Sequence, residues 1–154
     1  MENLIETFYS AFQENDAEKM ASCYHEDVHF EDPAFGPLKG AHAGNMWRMF
    51  CSIDGERTIS VKDIAIDGDH GSANWDAHYI FSRTGRKVYN QIHAEFEFKD
   101  GLIIKHIDTF NLHEWAKQAL GMNGRLIGGT RFFKKKLNKQ AQQKLSRYEK
   151  KNIS

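Results

Sequence analysis

Between Thr58 and Leu112 the hydrophobic residues recur with a period of two, and three turn dipeptides, Gly68-Asp69, Thr84-Gly85 and Asp100-Gly101, break the run at near-even spacing. A period of two places successive side chains on opposite faces of a strand. Glycine and aspartate at the breaks supply the positive φ that a tight hairpin requires. The pattern predicts strands over 58–67, 71–83, 87–99 and 102–112, joined as an antiparallel meander. Helical spacing comes before it, so the chain reads as an α+β domain. A strongly bent sheet of this kind can wrap around the N-terminal helices and leave a cavity at its mouth.

The helices follow from apolar spacing. Leu4, Ile5, Phe8, Ala11 and Phe12 line one face of a helix over 2–13. Asn15-Asp16 breaks it, and Asp16 caps a second helix over 17–24 with Met20, Cys23 and Tyr24 inward. Val28 and Phe30 mark a short strand that Pro33 ends, and Gly36, Pro37 and Gly40 make a loop. A third helix over 41–52 carries Met46, Trp47, Met49 and Phe50, and a short one over 113–120 ends near Gly121. After Gly128-Gly129, a stripe of Phe133, Leu137, Ala141, Leu145 and Tyr148 predicts a basic amphipathic helix. The organisation is a pocket domain, 1–122, followed by a basic helical tail, 123–154.

The charge is divided between those parts. Residues 125–154 hold ten Lys and Arg against one acid, Glu149, whereas the first 124 residues hold 11 basic and 20 acidic residues. The tail is expected to rest on its own acidic body or on a partner subunit, in preference to nucleic acid or a membrane. With 11 Phe, 5 Tyr and 3 Trp the chain is not a disordered one. No apolar run approaches the roughly 20 residues of a membrane span. The opening MENLIETFYSAF lacks the basic region of a signal peptide, which points to the cytoplasm. Cys23 and Cys51 have no metal spacing and read as free thiols.

The window Tyr24–Gly40 is the densest in groups that titrate near neutral pH, with Glu26, Asp27, Glu31, Asp32, His25 and His29. Asp32 ends a strand beside Phe30 and Phe35. Burial there would raise its pKa and suit it to general-base work; the other reading is a turn carboxylate before proline. His106 and Asp108, two apart on the last strand, point the same way. Either both face the interior, opposite Asp32, or the parity is off by one and both meet water. The interior face carries Trp75, Ala77, Tyr79 and Phe81, then Asn90, Ile92, Ala94, Phe96 and Phe98, then Ile104, His106, Asp108, Phe110 and Leu112. Trp47, Trp75 and Tyr79 could shape a ligand pocket or simply fill the core. Eight histidines include no HExxH pair, so no metal site is expected. Nucleophile-elbow, phosphate-loop and dinucleotide fingerprints do not occur, and no cofactor is expected.

Two short helices, YHEDVHFEDPAFGPLKG, a third helix and a meander ending in IIKHIDTFNLHEW together resemble the nuclear-transport-factor-two-like superfamily. The likeness is to its SnoaL-like polyketide cyclase and ketosteroid isomerase-like branches, over about residues 1–120. It implies a cone-shaped, cystatin-like curved antiparallel sheet around the N-terminal helices. It also implies a homodimer through the outer sheet face and a pocket for a small apolar ligand. The aspartate that moves a proton in ketosteroid isomerases corresponds to Asp32. By spacing, their oxyanion-hole tyrosine falls at Phe8, which cannot donate, and their second acid near Ala94; Tyr24 matches a supporting tyrosine. His106 and Asp108 look like the end-of-sheet pair of SnoaL-like cyclases. The implied function is a cofactor-free isomerase or cyclase. Asp32 or Asp108 would take a proton α to a carbonyl, and His106 and Tyr79 would stabilise the enolate. Phe8, Tyr24, Trp47, Trp75, Tyr79, Phe96 and Phe110 would line the pocket. The alternative is a ligand-binding or dimeric module without chemistry.

Overall fold

Short polar side chains start four of the helices in the computed structural model, which describes residues 3–153. Each accepts a backbone N–H that the first turn leaves unpaired. Asn3 caps α1 (Leu4–Gln13), Asp16 caps α2 (Ala17–Ser22), Asn111 caps α4 (Leu112–Leu120) and Thr130 caps α6 (Arg131–Asn152). The predicted first position of α1, Glu2, lies outside the described residues. The third helix, α3 (Ala41–Ser52), has the expected bounds. It starts at Gly40 with φ +58, where a Cβ would come within 3.1 Å of the Glu26 carbonyl oxygen, so glycine is required. A further helix, α5 (Met122–Ile127), was not expected. It crosses so close to α4 that a Cβ at Gly124 would lie 1.9 Å from the Ala116 carbonyl oxygen. That glycine, needed for contact, is what weakens the helical signal in sequence.

The strands are β1 (Tyr24–Asp32), β2 (Gly36–Lys39), β3 (Arg57–Asp67), β4 (His70–Phe81), β5 (Arg86–Lys99) and β6 (Leu102–Thr109). They form one sheet in the order β2-β1-β6-β5-β4-β3. The antiparallel meander β3 to β6 is present as predicted. Two expectations need correction. The loop at 36–40 is the edge strand β2, which pairs antiparallel with β1 and sets Gly36 opposite Asp32. Pro37 hid it, but an edge strand tolerates a residue without an N–H. Nor is the sheet the expected cone-shaped antiparallel wrap. β1 runs parallel to β6, so the sheet is mixed, and β2 and β3 remain as two free edges. It is an open layer that is not strongly curled. The physical reason is the parallel pairing, which extends the sheet sideways beyond the meander instead of closing it.

One irregularity changes which side chains face inward. β6 pairs Lys105 with Glu97 but Ile103 with Phe98, so Ile104 is an extra, unpaired residue. This bulge turns Ile103 fully inward and leaves the predicted Ile104 half-buried. His106 and Asp108 lie past the bulge and keep the predicted inward parity, at 0% and 3% exposure. Strand β6 ends at Thr109, because Asn111 is taken as the cap of α4.

Helix α1 lies against the sheet through Ile5, Phe8, Tyr9 and Phe12, all buried. Full burial of each large apolar side chain contributes roughly 1.5–3 kcal/mol. Gly71 on β4 permits the approach: a Cβ there would meet Ile5 Cδ1 at 2.8 Å and the Phe98 ring at 3.1 Å. A second, smaller core of Val88, Trp115, Ala116, Ala119 and Phe133 sits under α4 and the start of α6.

The predicted stripe of α6 faces the body: Phe133 and Leu145 are buried, and Leu137, Ala141 and Tyr148 are half-buried. Asn138 donates to the carbonyls of Pro33 (2.8 Å) and Ala34 (2.7 Å), and Gln142 donates to that of Phe35 (2.6 Å). The acid Glu149 accepts from Asn45 and pairs with His42, each at 2.7 Å. The tail therefore rests on its own body, as one expectation had it, but not by basic-on-acidic attraction. All ten of its Lys and Arg are exposed, and among the described residues none makes an ion pair.

Gly71→Ala should lower stability by about 1–3 kcal/mol through overpacking against α1. Chemical denaturation should show this, and adding Ile5→Val should restore part of the loss.

Candidate functional site

Five side chains from four elements form one buried hydrogen-bonded line. Trp47 Nε1 on α3 donates to Tyr24 Oη on β1 at 2.8 Å. Tyr24 Oη lies 2.8 Å from His106 Nδ1, and His106 Nε2 lies 2.9 Å from Asp108 Oδ1. Trp75 Nε1 on β4 donates to that same oxygen at 3.3 Å. Parallel pairing of β1 with β6 brings His106 alongside Phe30.

Donor counting assigns the protons. Both tryptophans can only donate. If Tyr24 gives its hydrogen to Nδ1, the imidazole is neutral and its Nε2–H goes to the Asp108 carboxylate, so every group is satisfied. An imidazolium would leave the Tyr24 hydrogen with no acceptor, which is costly in a buried site. Burial holds the Tyr24 phenol well above its ordinary range; the Trp47 bond opposes the rise and the Asp108 charge adds to it. The rings of Phe8, Phe30, Trp47 and Phe96 surround the imidazole at centroid distances of 5.4, 5.1, 6.3 and 4.4 Å.

Asp32 ends β1 and is half-buried. Its Oδ1 accepts from the backbone N–H of Ala34 at 2.9 Å and of Phe35 at 2.6 Å. The turn-carboxylate reading is thus correct for one oxygen. The other, Oδ2, has no protein donor among the described residues. Burial pushes the carboxyl up to about 7; the Phe35 and Ala34 bonds oppose the rise, and the charges of Asp108 and Glu31 add to it. Asp108 is arranged similarly, with both its donors on Oδ1 and none on Oδ2.

Two tyrosines face this region. Tyr79 accepts from Trp115 Nε1 at 2.7 Å, which leaves its own hydrogen uncommitted. Burial raises its pKa, and the Asp32 charge adds to the rise. Tyr9, which sequence reasoning passed over, is fully buried, and its hydroxyl is the one buried side-chain polar atom without a partner among the described residues. Its ring packs on Trp75 and Phe96 at 5.8 and 6.4 Å. Burial raises its pKa most, followed by the charge of Asp108. The available signal was its position beside Phe8, which the family spacing had marked.

The structure therefore gathers Phe8, Tyr24, Trp47, Trp75 and Phe96 around the His106–Asp108 pair. Tyr79 and half-buried Phe110 border both hydrophobic cores. Surface clefts of about 470 Å³ by Asn15 and Arg57 and of about 380 Å³ by Ile66 and Phe96 are not lined by Asp32, His106 or Asp108. Among the described residues no three of His, Cys, Asp or Glu gather as metal ligands, and Cys23 and Cys51 form no disulfide. No described helix is long and apolar enough to cross a membrane.

The family model for the SnoaL-like domain matches residues 5–106. No curated protein matches the chain. Among solved structures, the chain is similar to a putative polyketide cyclase from Xanthomonas campestris pv. campestris at 23% identity and TM-score 0.63, over 75% of this chain and 93% of that one. An LEH-like epoxide hydrolase from M. tuberculosis shares 22% identity at TM-score 0.62, over 80% and 92% of the two chains. TerC, co-crystallised with polyporic acid, shares 20% at TM-score 0.58, over 70% and 88%. At these identities the likeness is one of fold alone.

Tyr24→Phe should strand Trp47 Nε1 and His106 Nδ1 in the core. We expect a loss of about 1–3 kcal/mol, read from the denaturation midpoint. Asp32 holds a proton more tightly when folded, so its contribution to stability is full below the ordinary pKa of 3.8 and is lost as pH rises through about 7. Asp32→Asn should flatten the fall in melting temperature across that window.

Proposed function

Because the chain belongs to the SnoaL-like domain family, we propose that it is a cofactor-free enzyme that moves a proton on carbon in a small apolar carbonyl compound. The observation that carries this reading is Asp32. It is a carboxyl with a pKa raised to about 7, one oxygen held by the backbone and the other uncommitted. A base with a pKa near the working pH is ionised often enough to act and basic enough to take a weakly acidic proton. In the proposed step Asp32 Oδ2 takes a proton from the carbon α to the carbonyl. The C–H electron pair becomes the enolate double bond, and negative charge moves to the carbonyl oxygen. The free Tyr79 and Tyr9 hydrogens are the donors for that oxygen. Both hydroxyls are already desolvated, so their bonds strengthen as charge develops. Asp32 then returns the proton to another carbon, giving an isomer, or the enolate carbon attacks a second carbonyl, closing a ring as that C=O π pair moves to its oxygen, which takes the proton back from Asp32.

His106 takes a different part from the enolate donor expected of it. Both its nitrogens are committed, to Tyr24 and to Asp108. It serves instead to orient Asp108, with Oδ2 as a second acceptor. The same saturation favours a second reading, a ligand-binding module of the same fold without chemistry. Its core network needs no ligand to be complete.

The test is solvent exchange. Apolar cyclic ketones incubated with the protein in D₂O should gain deuterium α to the carbonyl, with a rate that rises with pH through about 7. Asp32→Asn should lower that rate by roughly 10²–10⁴-fold, and Tyr79→Phe by a smaller factor. Equal exchange by wild type and Asp32→Asn would sink the catalytic reading; ligand binding without exchange in either would establish the module.

A further inference from the structure

The segment from Gly121 to Lys151 lies outside the residues matched by the family and is not used by the proposed chemistry. Its inner face is accounted for by Phe133, Asn138, Gln142, Leu145 and Glu149. Its outer face is not. Met122, Leu126, Ile127 and Phe132 are 68, 72, 44 and 71% exposed and fall within eleven residues. Met122 and Leu126, at i and i+4, share one face of α5. Phe132 stands at the start of the outer face of α6, which continues through Lys139, Gln143, Ser146 and Lys150 at helical spacing.

The segment carries ten exposed cations without an ion pair among the described residues, five of them (Arg125, Arg131, Lys134, Lys135 and Lys136) within four residues of these side chains, and its one acid is turned inward to His42 and Asn45. The segment thus offers an apolar tip beside a positive field that, among the described residues, no acid of the net negative body meets in an ion pair. Water is a poor medium for the first, and the second is left free to attract an anionic surface.

We propose that this surface docks the protein on an anionic lipid bilayer, with α6 lying in the interface plane and Met122, Leu126, Ile127 and Phe132 entering the acyl boundary. Three features favour lipid over other occupants. Three of the four apolar residues are aliphatic and cannot stack on nucleic-acid bases. The cations are mostly lysine, seven of ten, which act as point charges and suit headgroups without directional fit. A second copy seated face to face through the same patch would bring like charges together. Shallow apolar insertion combined with lysine attraction to acidic headgroups is the physical basis of peripheral membrane binding.

The test is sedimentation of the full chain with phosphatidylcholine vesicles containing phosphatidylglycerol, and with phosphatidylcholine vesicles alone. We expect binding to the first and not the second, with loss at high ionic strength. The double variant Leu126→Ser/Phe132→Ser should bind at least tenfold more weakly, and so should Lys135→Glu/Lys136→Glu/Lys139→Glu. All these positions are exposed, so melting temperatures should be unchanged. The proposal fails if the protein does not sediment with the anionic vesicles. It fails also if the serine variant binds them as wild type does, which would leave only counterion exchange. Tighter binding to duplex DNA than to the vesicles, insensitive to the serine changes, would assign the surface to nucleic acid instead.

Discussion

The bond between Tyr24 and His106 ties the two halves of this molecule together. It spans strands β1 and β6, the one parallel pair in a sheet that is otherwise antiparallel. Polar groups buried this deeply are tolerated only when each finds its partner. That requirement fixes the side chain of Trp47 on α3, the phase of β6 and the side chain of Trp75 on β4 together. A misplaced register in any of them would strand a donor in an aromatic core. The network specifies which arrangement of the elements is acceptable more than it adds to their stability.

The same geometry divides labour among the acids. Asp108 sits at the closed end, and its charge is reconciled with burial by a neutral imidazole and an indole. Asp32 sits at the more open end and is reconciled only by two backbone N–H groups on one oxygen. The pair are close enough for the charge of Asp108 to disfavour ionisation of Asp32. Unequal compensation of two carboxyls in one interior is a route by which environment brings one of them, here Asp32, into the range of a base.

Local patterning made much of this legible. The hairpin dipeptides located the meander, and i, i+4 spacing located α1, α3 and α6. The parity of His106 and Asp108 was correct although Ile104, two residues earlier, was not, because the bulge lies between Ile104 and the ladder behind it. What stayed hidden depended on contacts across the chain. The parallel pairing of β1 has no signature within β1 itself. Strand β2 was masked by Pro37, and α5 by the glycine that its contact with α4 demands. The open sheet likewise follows from which strands meet, and the family likeness suggested a more closed one. Tyr9 went unnoticed because a tyrosine in an apolar stripe reads as core until its hydroxyl is seen to lack a partner.

The turn after Asp32 is gripped from two directions. Its amide hydrogens are taken by the carboxylate, and its three carbonyls by amides of a helix more than a hundred residues later in the chain. Protonation of that carboxylate weakens one grip while leaving the other intact. The acid–base state of a single side chain is in this way coupled mechanically to the seating of the C-terminal helix, and a force applied to the helix is felt at the acid.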